Sequence, residues 1–199
     1  LPPEERGFAD VWKTFVTKEG IVFLTVSRIL RLGSSVEIWK PRTSFHLAFQ
    51  VGERLFTREL GRGLLELTDA ALRSVPGGER FADEKIYAML PGEVPGSILI
   101  GTRTQGLFHL DGGALRPFPT EADAALNRDL LFRATLLPDG TLAMGTAQGG
   151  LLLLDAQGRI RGRLGQASGL ADDTVLSLAL DHQGGLWMGL RKGLARARV

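Results

Sequence analysis

Residues 174–197 read TVLSLALDHQGGLWMGLRKGLARA, and three strands can be marked in them. Thr174–Leu180 carries apolar or small residues on both alternating faces, the pattern of a strand buried on both sides. Asp181-His182-Gln183-Gly184 supplies the turn, Gly185–Gly189 a short second strand, and Arg191-Lys192-Gly193 leads into a third, Leu194–Ala197. The Gly193-Leu194 pair recurs upstream at Gly150-Leu151, Gly106-Leu107 and Gly63-Leu64, at intervals of 43, 44 and 43 residues. A period of ~40–50 residues is that of a four-stranded propeller blade, and it exceeds the ~34 of paired-helix repeats.

Each earlier interval gives the same order with its fourth strand present. One repeat back, the pieces are Leu131–Leu137, Leu142–Thr146, Leu151–Leu154 and Arg159–Leu164. Before them come Ile86–Leu90, Ser97–Thr102, Leu107–Leu110 and Ala114–Phe118, then Phe45–Gln50, Arg54–Thr57, Leu64–Leu67 and Leu72–Val75. The first repeat is the most diverged, with Val11–Phe15, Ile21–Val26, Arg28–Leu32 and Val36–Trp39. The expected fold is therefore an all-β propeller of antiparallel blades at 11–40, 45–76, 86–118, 131–164 and 175–197. A short helix is expected near Thr120–Leu131, where Thr120-Glu121-Ala122-Asp123 resembles a capping box. Residues 1–199 thus read as one propeller fragment, four complete blades and three strands of a fifth. A seven-bladed ring at this period needs about 300 residues. The expectation is part of a seven- or eight-bladed ring whose open faces are covered by the remaining blades or another copy, because large bare apolar faces are rarely tolerated.

Composition narrows the function classes. The absence of cysteine excludes disulfides, thiolate zinc sites and Cys nucleophiles. Lys and Arg number 24 against 22 Asp and Glu, and a net charge of +2 does not argue for nucleic acid or an anionic membrane. No apolar run approaches the ~18–20 residues of a membrane span. Leu1-Pro2-Pro3-Glu4-Glu5 is not a charged-then-apolar leader, and both ends read as cut from something longer.

The last repeat resembles the two-component regulator propeller repeat. The residues that carry this are Gly169-Leu170-Ala171-Asp172-Asp173-Thr174-Val175, Asp181, Gly184, Leu186-Trp187-Met188-Gly189 and Gly193-Leu194. Its second half returns in Ser97–Thr102 through Gly106-Leu107. The resemblance implies the periplasmic sensor part of an inner-membrane signalling protein, such as a hybrid sensor histidine kinase or a nucleotide cyclase. It also implies that the membrane helix and the cytoplasmic output lie in further domains, so that membrane contact comes only through the parent protein.

No constellation of catalytic type can be found. His46, His109 and His182 fall in an inner strand, a third strand and a turn, without ligand spacing, so no metal or cofactor is expected. Asp172 and Asp173 are neighbours whose side chains point apart, and Trp187 aligns with Ala143, Leu99 and Phe56 as a residue expected between blades. Arg159, Arg161 and Arg163 alternate on an outer strand, as a solvated edge would. The loops between second and third strands offer Arg62, Arg103 with Gln105, Gln148, and Arg191 with Lys192, candidates for one ligand-binding face. Arg103, Gln148 and Arg191 should share that face. The leading expectation is a non-enzymatic module sensing a small molecule, saccharide or protein. The alternatives are a protein interaction scaffold, or a propeller lyase or glycosidase drawing on Asp83, Glu84, Asp172 and Asp173.

Overall fold

A computed structural model describes residues 3–7, 10–68 and 71–198. The chain divides into two compact units, Leu1–Lys85 and Ile86–Val199. The first unit holds two antiparallel meanders. One is β1 (Lys13–Thr17), β2 (Gly20–Leu24), β3 (Ile29–Leu32) and β4 (Val36–Trp39); the other is β5 (Phe45–Val51), β6 (Arg54–Glu59), β7 (Gly63–Leu67) and β8 (Leu72–Ser74). Three sheets form the second unit: β9 (Ile86–Pro91) to β12 (Ala114–Phe118) by way of β10 (Ile98–Thr102) and β11 (Leu107–Asp111), then two more. They are β13 (Leu131–Leu136), β14 (Leu142–Thr146), β15 (Leu151–Leu154), β16 (Ile160–Leu164), and the three-stranded β17 (Val175–Leu180), β18 (Gly185–Leu190), β19 (Leu194–Arg198). Within every sheet each strand pairs only with its neighbour in sequence, the arrangement of propeller blades.

The repeated glycine has a backbone cause. Gly63, Gly106, Gly150 and Gly193 all have φ between 77° and 92°, a region that L side chains rarely adopt. A Cβ at Gly150 would also stand 2.1 Å from the Leu164 carbonyl oxygen. Two of these turns are latched by a buried threonine: the Thr102 hydroxyl donates to the Gly106 carbonyl at 2.8 Å, and Thr146 donates to Gly150 at 3.0 Å. Each oxygen also accepts a backbone N–H, from Gln105 at 3.0 Å and Gly149 at 2.8 Å. At the opposite ends of the strands, Asp139, Asp155 and Asp181 accept backbone N–H groups two residues on, closing Asx turns at 2.9–3.0 Å.

The core lies between sheets. Leu99, Leu107, Leu131, Leu142, Met144 and Leu152 fill the space between the third and fourth, and Ala143, Leu151, Val175, Leu186 and Met188 between the fourth and fifth. Close approach requires glycine again: a Cβ on Gly101 or Gly145 would stand 2.6 Å from the side chain of Leu131 or Val175. Helix α1 (Asp123–Asp129) forms in the expected connection and contributes Ala125 and Leu126 to the first of these clusters. Thr120 accepts from the Ala122 amide at 3.2 Å and donates to Asp123 at 2.6 Å, but the helix starts after Ala122 without a side-chain cap, so the expected capping box does not form.

Four local expectations about strands and their exposure need correction. The first inner strand runs Lys13–Thr17 rather than Val11–Phe15, because the two-residue turn at Lys18-Glu19 fixes the hairpin register. Trp187 is 41% exposed, whereas its counterparts Phe56, Leu99 and Ala143 are at most 4% exposed. It pairs with Ala179 and Arg196, on the face of the last sheet opposite Met188, which faces the fourth. For the same reason β17 is not buried on both sides: Leu176 is 41% exposed and Leu180 37%. Arg159 precedes its strand and bonds Asp155 at 2.7 Å, leaving Arg161 and Arg163 as the exposed pair on β16.

Candidate functional site

The six nominated loop residues have unequal freedom. Arg62 is held by Glu59 at 3.2 Å and by the Leu72 carbonyl at 3.2 Å. Glu59 is a fully buried carboxylate standing where the later sheets have their latch threonine, and it also accepts the backbone N–H groups of Arg42 at 2.5 Å and Thr43 at 3.3 Å. Removing Arg62 would strip that carboxylate of its cation, so Arg62 is part of the sheet's own framework. Gln148 donates to the Arg128 carbonyl at 2.8 Å, and its amide N–H bonds the Asp129 carbonyl, which ties the loop to the segment entering β13. Arg191 does the same one sheet on, pairing with Asp172 at 3.1 Å while its N–H bonds the Thr174 carbonyl. Arg103, Gln148 and Arg191 occupy equivalent loops of the third, fourth and fifth sheets, each between a second and a third strand. Lys192 and Gln105 are exposed.

The adjacent carboxylates organise loops. Asp172 accepts the Thr174 N–H at 2.8 Å, and Asp173 accepts the Gln166 N–H at 2.7 Å. The Thr174 amide and the Arg191 guanidinium hold the Asp172 carboxyl below the usual carboxylate range. A carboxylate kept ionised in this way is a poor proton donor at neutral pH.

Arg103 differs from the other five. Its guanidinium lies over the Tyr87 ring, 5.1 Å from the centroid, and its Nη1 is buried without a hydrogen-bond partner. Tyr87 in turn meets the Phe132 ring at 5.3 Å, and Arg133 lies over Phe132 at 4.9 Å. Burial pushes the Arg133 guanidinium below its ordinary pKa, against a smaller opposing pull from Tyr87. Register explains why the rings meet. Each inner strand of the second unit is bulged near its start: Ile86 and Ala88 pair with successive residues of β10, Leu131 and Arg133 with successive residues of β14, and Val175 and Ser177 with successive residues of β18. Tyr87, Phe132 and Leu176 are thus the three extra residues, at one equivalent position on successive innermost strands. Tyr87, Phe132 and Arg133 escape a reading of the sequence, since strict alternation conceals a bulge.

A second concavity, of about 310 Å³, opens between the third and fourth sheets at the end carrying the β9–β10 and β13–β14 turns. Its wall is mainly apolar, with Leu99, Leu136 and Leu142, and with the His109 ring tilted against Phe118 at 4.5 Å. That is the end away from the nominated loops.

No family model matches the chain, and neither does any curated protein. Solved structures do. One is assigned to the extracellular domain of the hybrid two component system BT3049 of B. thetaiotaomicron, with a TM-score of 0.75 at 15% identity over 95% of this chain. Another, the extracellular domain of BT4673 from the same organism, has a TM-score of 0.76 at 13% identity over the whole chain. The WD40 β-propeller domain of Doa1 follows at 0.67 and 10% identity over 92% of the chain and 61% of its own length. The chain spans only 27% and 29% of the two extracellular domains. At these identities the likeness shows the fold, which is a β-propeller shared with extracellular domains of two-component proteins.

Proposed function

We propose that this chain is part of the extracytoplasmic sensor propeller of a membrane-bound signalling protein, and that it binds a small ligand or partner on the face bearing the loops between second and third strands. The observation that carries the reading is the likeness, over 95% and 100% of the chain, to extracellular domains of two-component proteins. The two-component regulator repeat read in residues 169–194 supports it independently. Among the described residues no helix is long and apolar enough to cross a membrane, so anchoring and output fall to other parts of the parent protein.

The reading implies that the periplasm of the host is where the ligand is met, and that further blades or another copy complete the propeller. The open reading frame that encodes the chain is the test. A membrane helix followed by a kinase, cyclase or phosphatase module is expected downstream, and a frame encoding neither would refute the proposal.

A further inference from the structure

Many of the arginines among the described residues have a carboxylate partner. Arg31 pairs with Glu37, Arg54 with Glu66, Arg62 with Glu59, Arg191 with Asp172 and Arg196 with Asp181. The more deeply buried Arg58 donates to the Phe81 and Ala82 carbonyls. Arg103 and Arg133 stand apart. Both are partly buried, neither forms an ion pair among the described residues, and Arg133's only hydrogen bond is to the Phe132 carbonyl beside it, at 3.0 Å. A cation withdrawn from water without a counter-charge is costly, and proteins seldom keep two at one place. The sequence keeps them, and the bulges of β9 and β13 present the intervening rings at the same level.

We infer that Arg103 and Arg133, bridged by the adjoining rings of Tyr87 and Phe132, form a site for a small organic anion bearing carboxylate groups. The missing counter-charge comes from the ligand. A guanidinium offers a planar fork that a carboxylate engages through two parallel hydrogen bonds, and the Nη1 of Arg103 has that donor unused. Each guanidinium sits within cation–π range of its ring, 5.1 and 4.9 Å from the centroids, so both cations are held in place before binding. Carboxylate recognition deepens the sensor reading, because it names the class of molecule that this face would take; it rests on that reading only for its biological meaning.

Tyr87 is the sole tyrosine of the chain, which gives the site its own reporter. The full chain labelled with 3-fluorotyrosine should show one fluorine resonance from folded protein. Titration with succinate is expected to shift that resonance saturably, and the neutral isostere succinamide should leave it in place. Arg103→Gln and Arg133→Gln should each weaken succinate binding at least tenfold, while Arg163→Gln, on the exposed face of β16, should change it less than twofold. The unmutated titration stands by itself if either glutamine variant fails to fold. A resonance that succinate does not move, or that succinamide moves equally, overturns the inference, as does succinate affinity that survives both glutamine variants in folded protein. These outcomes leave the sensor reading untouched, since that reading stands or falls on the parent reading frame.

Discussion

Replacing Thr146 by valine isolates one turn latch. Thr146 is fully buried, donates to the Gly150 carbonyl at 3.0 Å and accepts from the Gly149 N–H at 2.8 Å. Valine keeps the shape of the side chain and removes both bonds. The Gly149 N–H is left without that partner, whereas the Gly150 carbonyl still accepts from the Thr146 backbone amide at 2.9 Å. An unsatisfied buried group costs about 1–3 kcal/mol, and a second bond that keeps an alternative partner about 1 kcal/mol. The extra apolar methyl returns less than about 1 kcal/mol. The net expectation is destabilisation by about 1.5–3 kcal/mol. Thr146→Ser keeps the hydroxyl and loses one methyl, so about 1 kcal/mol is expected for it. Equilibrium urea unfolding of the three proteins, compared at equal m-value, measures both differences. If valine proves as stable as serine or more so, the hydroxyl is not what closes this turn, and the latch argument fails for Thr102 as well.

Gly145→Ala should cost about 1–3 kcal/mol in the same unfolding assay, because its Cβ would press on Val175 at 2.6 Å across the sheet interface. Trp187→Ala should cost about 1 kcal/mol while Leu99→Ala costs about 2–4, the reverse of what side-chain size suggests, since Leu99 is buried and Trp187 is not. Acid should destabilise the fold: Arg196, the Gly185 amide and Trp187 hold the Asp181 carboxyl well below its ordinary value, and the Arg159 amide does the same for Asp155. Because these folded-state values are depressed, the stability they confer is full above the unfolded carboxylate value near ~4 and is lost as pH falls below it. Melting temperature followed from pH 7 to pH 2 should drop below about pH 4, and Asp181→Asn should flatten that drop.

The parts of this fold that could be read in the sequence are those fixed by local backbone chemistry. The period was marked by Gly63, Gly106, Gly150 and Gly193, and each of them holds a positive φ that ties the residue type to the turn. The Asp turns announced themselves for the same reason, since the residues that form them are neighbours in the chain. What could not be read depends on which surface meets which. Trp187 carries the signature of an interior residue, and only the position of its sheet exposes it. Arg103 was legible as a loop cation, but Arg133, Tyr87 and Phe132 look like ordinary members of inner strands. Their meeting needs two bulges in register on separate sheets, and a bulge leaves no mark in the alternation of apolar residues. Arg62 and Gln148 lie in loops, yet their hydrogen bonds to Glu59 and to the Arg128 carbonyl show the framework already using them.

Strand pairing confined to sequence neighbours also bears on how the chain acquires its structure. The connections inside each sheet run from two residues at Lys18-Glu19 to six at Gly92–Ser97, so every ladder closes a short loop. Short loops close at little entropic cost and on the submicrosecond scale. Each hairpin can therefore be sampled before the rest of the polypeptide is available, as it would be during synthesis or export. A lone sheet has no partner for its apolar faces, so consolidation waits for docking, as when Val175 settles against Gly145. The order of events is then ladder first and interface second. The slow step should be one that changes of side chain at Gly101 and Gly145 affect and changes at the Asp turns do not.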